Sequence, residues 1–404
     1  MTVLLEDALR TLLPLVQPSC SMRLPLEKCL DRILAEDIIS DMDFPPFDRS
    51  PLDGYAFRLK DVQKASPQKP VLLKQVDYVP AGTWPTKKVE AGEATRIMTG
   101  AKIPEGADAV IRLEDTIMDG EYVEIKHYSE QMGKNICFQG EEIRSGEVVL
   151  VQGTCLKEGE LSMLAMLGHV TPLVYEKPKV GILATGSELI SAAEALSPGK
   201  IRDTNSYMLL AKVLLAGGEP ILLGQVEDDI EAIAEKFYTN PGLSVYITTG
   251  GASIGDYDLM EKLFARLQIP MLFNRVAIKP GMPVLAGQWK DSLFIALSGN
   301  PAAGSVSFEV LVRPLLLKMT GVQKWHRPRV KVKLHGEIKK ASDTRRFVWA
   351  HCWEKQGMLF AEPLHYQGNG MLRSMLKANV LLDIPEGSVA LEDGVELEAI
   401  LLLS

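Results

Sequence analysis

Cysteine is scarce in this chain. The five present, Cys20, Cys29, Cys137, Cys155 and Cys352, are odd in number and form no C-x-x-C pair. That excludes a disulfide framework and a cysteine zinc site, and it fits a reducing compartment, so a cytoplasmic location is expected. Long apolar runs are missing as well, and no uninterrupted stretch reaches the roughly 20 residues of a membrane span. The segment MTVLLEDALRTLLPLV carries Glu6, Asp7 and Arg10 within its apolar pattern, which predicts an amphipathic helix rather than a secretory signal. Basic runs are absent and the formal net charge is −8. Nucleic acid and anionic membrane surfaces are therefore poor candidates for the main partner. What remains is ordinary for a soluble protein: 46% hydrophobic and 24% charged residues over 404 positions, enough for roughly two to four domains.

The chain is organised around Ser244–Phe264, SVYITTGGASIGDYDLMEKLF. Val245 to Thr248 read as a buried strand, and Gly250 with Gly251 supply the positive φ angles of a tight strand-to-helix turn. Leu259, Met260, Leu263 and Phe264 then recur at helical spacing. A glycine turn feeding a helix leaves backbone N–H groups free at the positive end of the dipole, where an anion can sit. Asp256 and Asp258 fit two roles. Capping is the favoured reading for Asp256; metal or substrate contact is favoured for Asp258, since Mg²⁺ takes one or two carboxylates plus substrate oxygens. The same letters spell G-x-S-x-G, from Gly251 through Ser253 to Gly255, the pattern of a hydrolase nucleophile elbow. His326, His335, His351 and His365 are available as triad partners, yet no His-Gly-Gly-type oxyanion segment lies upstream. A serine hydrolase is the runner-up, and a Walker loop is excluded because no Lys-Ser/Thr pair follows the glycines.

Residues 1–43 begin helical, with Leu5, Ala8, Leu9, Leu12 and Leu13 on one face. The stretch DMDFPPFDRSPLDGY from Asp41 to Tyr55 is too rich in proline to be regular, and it marks a boundary. Short alternating strands follow to about Arg144, predicting a β-rich domain inserted between residues 1–43 and 145–176, which together form a stalk domain. From Lys177 to about Trp325 strands and helices alternate. This predicts a doubly wound α/β domain with ligands at the C-terminal strand ends. The loops around Gly186, Gly251 and Gly299-Asn300 then converge on one crevice. Residues 326–404 return to strands, a small β-barrel or sandwich. Lys279, between an apolar strand and a Pro-Gly turn, is an anion-binding candidate. Asp228 and Asp229 read first as helix-start acids. Arg345 and Arg346 are either edge charges or anion donors, and Gly368-Asn-Gly370 with Ser374 form a further glycine-rich loop.

Taken together, FPPFDRSPLDGYAF, RIMTGAKIPEGADAVIRLEDT, ILATGSEL, IRDTNSYML, TTGGASIGDYD, AIKPGMP and SGNPAAG resemble the motifs of the molybdopterin molybdenumtransferase family, which also supplies the C-terminal domain of gephyrin. The resemblance spans essentially the whole chain. It implies four domains, a homodimer, and Mg²⁺-dependent insertion of molybdate into adenylylated molybdopterin with release of AMP. A separate molybdopterin adenylyltransferase is an implied partner. A non-catalytic scaffold of the gephyrin type would need further domains or linkers.

By the same resemblance, Asp53 matches the acid of a DGYA motif, Thr99 that of MTG, and Glu188 the glutamate of TG-x-E-L. Ser253 and Asp258 match the serine and second aspartate of GG-x-S-x-GD-x-D, and Lys279 and Pro283 match the KPG-x-P motif. Asp53, Thr99, Glu188, Ser253, Asp258 and Lys279 are thus the expected catalytic set. Gly250, Gly251, Gly255, Pro283, Gly299, Asn300, Arg345 (or Arg346) and Ser374 are expected around the pterin and oxyanion, and Asp258, Glu188 and Asp228 at the metal. Met282 stands where family members often carry a second lysine, Ala303 replaces a serine, Ser298 a proline and Glu142 an aspartate. Arg275 is the candidate to restore the lost charge. The inserted domain is expected to reach across a two-fold axis, so that Asp53 and Thr99 face Asp258 and Lys279 of the other subunit.

Overall fold

The computed structural model describes residues 1–128, 131–250, 257–365, 367–368 and 370–402. These form two units, one of residues 1–36, 152–161 and 170–404, the other of 37–151 and 162–169.

The first unit is built on a mixed sheet of seven strands. Its strands are β1 (Thr2–Val3), β2 (Lys179–Thr185), β3 (Glu219–Val226), β4 (Val245–Thr249) and β5 (Met271–Val276), with β6 (Ile278–Lys279) set apart; β7 (Pro283–Trp289) and β8 (Ser292–Leu297) complete it. Their order is β1-β5-β7-β8-β4-β2-β3, parallel from β8 through β4 and β2 to β3 and antiparallel at β5–β7–β8. Every residue of β4 and β8 is buried, because helices cover both faces and the central strands meet no water.

The period of two sorts the side chains cleanly. Val245, Ile247, Leu293 and Ile295 face α1 (Leu5–Leu12), α2 (Asn205–Leu215) and the helical run Pro301–Met319. Tyr246 and Phe294 point the other way, against α3 (Ile230–Tyr238) and α4 (Tyr257–Arg266). Phe294 touches the rings of Phe237 and Phe264 at centroid distances of 4.9 and 5.0 Å. Removing such a ring costs about 3–5 kcal/mol. The run from Pro301 is α5 (Pro301–Ser307), one π turn (Phe308–Val312) and α6 (Arg313–Met319).

The N-terminal segment departs from expectation. Thr2 and Val3 pair in parallel with Arg275 and Val276, and Leu5, Ala8 and Leu12 enter the sheet's core. The apolar stripe of α1 is therefore spent on the α/β sheet. The stalk-like pairings begin later, at Ser21–Arg23 with Leu173–Tyr175, and at Ile38–Ile39 with Val148–Leu150. A helix runs Glu158–Met166.

The C-terminal strands are β9 (Arg329–Leu334), β10 (Arg345–Lys355), β11 (Met358–Pro363), β12 (Val380–Ile384) and β13 (Glu396–Leu401). Their order β10-β11-β9-β13-β12 closes through β10–β12, a five-stranded barrel filled by Val332, Val348, Leu382 and Ala399. Closure removes the sheet edges. β6 docks outside it on β10.

The second unit carries its own six-stranded sheet. Its strands lie in the order 109–112, 54–57, 93–97, 71–79, 122–125, 116–119, around Tyr55, Phe57, Leu73, Ile111 and Val123.

Candidate active site

β2, β4 and β8 are parallel neighbours, so their C-terminal ends open side by side. The Thr185 hydroxyl donates to the Thr249 carbonyl at 3.3 Å. Gly250 follows with φ +99°, and a Cβ there would lie 2.0 Å from the Thr185 carbonyl oxygen. No other residue fits that approach. A Cβ on Gly299 would come within 3.2 Å of Gly250 Cα, so the third loop closes onto the second. The loops at Gly186, Gly250 and Gly299 therefore meet at the strand ends, where the crevice is expected.

From the side, α2 presents Asn205. Its Nδ2 donates to the Gly299 carbonyl at 2.8 Å, while its Oδ1 is buried without a hydrogen-bond partner among the described residues. An orphaned acceptor of this kind is costly unless a ligand donor or water answers it. Asn205 lies in the quoted IRDTNSYML motif but reads from sequence only as a helix cap; its position against Gly299 is what marks it. Asn300 opens α5, with the Gly304 N–H donating to its carbonyl at 2.9 Å. The barrel contributes Gly370, on which a Cβ would sit 3.9 Å from Asn300 Oδ1.

Acids stand at the rim. The Glu188 carboxylate folds over Gly186, where a Cβ would meet Oε2 at 2.6 Å. Asp228 is exposed just beyond β3, and Asp229 next to it caps α3 by accepting from the Ala232 N–H at 2.7 Å. The Gly186 N–H donates to the Val226 carbonyl at 3.1 Å, which ties the two acidic loops together. No group of three or more His, Cys, Asp or Glu gathers among the described residues. Such a set fits Mg²⁺, which uses one or two carboxylates together with substrate phosphates and water.

The cationic wall comes from β6 and β10. Lys279 is exposed and stands in register with Arg346. Arg346 is half-buried, its guanidinium donating to the Lys340 carbonyl at 3.5 Å; burial pushes its pKa down. Arg345 is occupied elsewhere. It grips Asp383 through Nε–Oδ1 at 2.7 Å and NH2–Oδ2 at 2.6 Å, and also contacts Glu6. Hydrogen bonding to Asp383 raises its pKa further. Of the two arginines, Arg345 is held in ion pairs and Arg346 is in none among the described residues. The turn after Lys279 is sunk into α5: Gly281 has φ +98°, a Cβ there would lie 2.2 Å from Ser307 Oγ, and Ser307 Oγ donates to the Gly281 carbonyl at 3.0 Å. Pro283 pairs with Arg275 across β5–β7. Met282 is exposed, and Ser374 is buried in a 3₁₀ turn.

In the second unit Asp53 and Thr99 form a pair. Thr99 donates both its backbone N–H, at 2.7 Å, and its hydroxyl, at 2.8 Å, to Asp53 Oδ1. The backbone bond first and the hydroxyl second lower the Asp53 pKa. Gly251, Ser253 and Gly255 lie outside the described residues, and of Asp258 only its place in the first turn of α4 is described.

The chain matches three family models in succession: "MoeA N-terminal region (domain I and II)" over residues 3–168, "Probable molybdopterin binding domain" over 181–318, and "MoeA C-terminal region (domain IV)" over 331–402. It is 36% identical over 382 residues to molybdopterin molybdenumtransferase of Bacillus subtilis (strain 168), covering 93% of this chain and 89% of that one. The chain belongs to the molybdopterin molybdenumtransferase family. A Staphylococcus aureus relative of the same name is 35% identical over 381 residues, covering 93% of this chain and 90% of its own. The molybdopterin biosynthesis MoeA protein of Pyrococcus horikoshii OT3 superposes with a TM-score of 0.85 at 34% identity, over 99% of this chain and 100% of that one. Membership in this family sets aside the hydrolase reading of Ser253.

Proposed function

We propose that this molybdenumtransferase works in the crevice at Gly186, Gly250 and Gly299, taking molybdate on Lys279 and Arg346 and adenylylated molybdopterin over the glycine turns. The observation that carries the reading is the register of Lys279 with Arg346. Two cations side by side, neither in an ion pair among the described residues, suit a tetrahedral dianion. Ser374, at the barrel end, is proposed as a further oxyanion contact.

The glycine-rich sequence ahead of α4 is proposed to supply backbone N–H groups to phosphate. Asn205 Oδ1 is available to accept from a substrate donor. Glu188, Asp228 and Asp258 would hold Mg²⁺, which when bound offsets the negative charge that develops as the phosphoanhydride is cleaved. The residues' own task is positioning: they keep oxyanion and dithiolene adjacent while AMP leaves, and electrostatics dominate over covalent chemistry. Asp53, held ionised by Thr99, is proposed to complete the cleft from a second copy of the chain. The source of the adenylylated pterin is proposed to be a separate adenylyltransferase.

Incubation of the full chain with adenylylated molybdopterin, Mg²⁺ and molybdate tests the reading. AMP and metal-loaded cofactor are expected in equal amounts, and AMP release without metal insertion contradicts it.

A further inference from the structure

The second unit displays two aromatic rings beneath one ammonium. Trp84 is 64% exposed, and its ring stands 5.4 Å from that of Phe47 at an interplanar angle of 51°. Lys102 lies over both, its Nζ 4.5 Å from the Trp84 centroid and 5.5 Å from that of Phe47. Lys102 is in no ion pair among the described residues. Trp84 enters neither of the apolar clusters around Tyr55 and Ala56, so the core of this unit does not account for it.

The exposure is imposed by the loop. Asp77 pins residues 80–88: its carboxylate accepts from the Thr86 N–H at 2.8 Å, the Thr86 hydroxyl at 2.9 Å and the Lys87 N–H at 3.1 Å. The Thr83 hydroxyl donates to the Pro80 carbonyl at 2.8 Å. Beside Phe47, the Asp48 carbonyl accepts from the Ile103 N–H at 2.9 Å. A tryptophan held in this way offers a large stacking face at small conformational cost.

This aromatic corner sits on the segments that carry the acid pair. Arg49 and Lys102 oppose one another in an antiparallel bridge. The Gly100 N–H donates to the Ser50 carbonyl at 2.7 Å, and the Ser50 N–H to the Ala101 carbonyl at 2.9 Å. Lys102 follows Thr99 by three residues, at most about 10 Å of chain, and Asp53 follows Phe47 on the facing segment.

We infer that the corner holds a planar heteroaromatic ring carrying phosphate, one of the two ring ends of adenylylated molybdopterin, with the ring on Trp84 and Phe47 and the phosphate on Lys102. The inference rests on the proposed entry of Asp53 into the cleft from a second copy of the chain. That substrate has a pterin at one end, adenine at the other and phosphates between them, whereas none of the described residues placed at the crevice is aromatic. Stacking on an exposed ring supplies affinity whichever heterocycle is presented, and the ammonium beside it favours a phosphorylated ring over a neutral one.

The test measures binding of AMP and of metal-free molybdopterin to the full chain by equilibrium dialysis, beside steady-state kinetics. Trp84→Ala is expected to weaken one of the two ligands about tenfold, which names the ring in the corner, and to leave the other within about twofold. Trp84→Phe keeps a stacking face and should restore most of the loss. The KM for adenylylated molybdopterin should rise about tenfold in Trp84→Ala, with kcat within about twofold and the KM for molybdate and the thermal midpoint unchanged. Affinities for both ring ligands equal to the parent's, or a loss that Trp84→Phe does not restore, would overturn the site and leave the proposed reaction standing. Trp84-dependent binding in a chain that releases no AMP from the adenylylated substrate would support the site and count against the reaction instead.

Discussion

Lys279 and Arg346 stand side by side across the parallel pair of β6 and β10, whereas Arg345, one residue earlier, is clamped on Asp383 and Glu6. Adjacent residues of one strand point to opposite faces, so these two arginines part company: Arg345 ties β10 to β12 and to α1, and Arg346 is the one proposed to meet the ligand. Arg346→Ala and Lys279→Ala should each lower kcat/KM for molybdate about 10- to 100-fold, the weight of a charge-assisted hydrogen bond. Their thermal midpoints should stay close to that of the parent. Steady-state kinetics beside calorimetry measures both.

Arg345→Ala should act on the fold instead. Asp383 is buried, which alone would raise its pKa, but bonds from Arg345 and then Arg329 hold it below the ordinary aspartate range. A depressed folded pKa gives stability that is present above the unfolded value and lost as pH falls through the folded one. The parent therefore keeps this contribution down to unusually acid pH. Without Arg345 only Arg329 opposes burial, so the Asp383 pKa rises and acid unfolding should begin at higher pH. Stability at neutral pH should fall by about 3–5 kcal/mol. An unchanged acid midpoint would remove Arg345 from this role.

Gly250→Ala should open the crevice. A methyl group 2.0 Å from the Thr185 carbonyl forces β2 and β4 apart at their ends, and φ +99° is unfavourable for alanine. Activity should drop more than tenfold while stability falls by about 1–3 kcal/mol. Gly82→Ala, also at positive φ but with open space around its Cβ, is the control for backbone strain alone.

Ser253 is expected to contact phosphate rather than form an acyl enzyme, given its place between Gly251 and Gly255 in the sequence. Ser253→Ala should weaken turnover without abolishing pterin binding, and a fluorophosphonate should leave the protein unlabelled. A labelled Ser253 peptide in mass spectrometry would reverse this assignment.

Asp53 and Asp258 test the proposed sharing of the cleft between two copies of the chain. Asp53→Ala and Asp258→Ala should each be inactive alone. After subunit exchange some mixed dimers carry one intact cleft, so part of the activity should return. No recovery despite confirmed exchange would place the whole site within one chain.

Much of this was legible because local patterns here agree with tertiary roles. The β-branched run before Gly250 reads as a buried strand and is one, and glycines at three strand ends mark the loops that meet there. Other features depended on contacts distant in sequence. Nothing in RRF tells which arginine is taken up in an ion pair until Asp383, 38 residues on, claims Arg345. Asn205 reads as a cap until Gly299 is found against it, and α1 reads as part of the stalk until its stripe enters the core beside β5.

The oxyanion claim is tested most directly by anomalous diffraction from crystals of the full chain soaked in molybdate or tungstate. The account predicts a peak between the Lys279 ammonium and the Arg346 guanidinium, on the Ser374 side, that disappears in Lys279→Ala. A peak held by Arg345, or one at the glycine turns that survives Lys279→Ala, would contradict it.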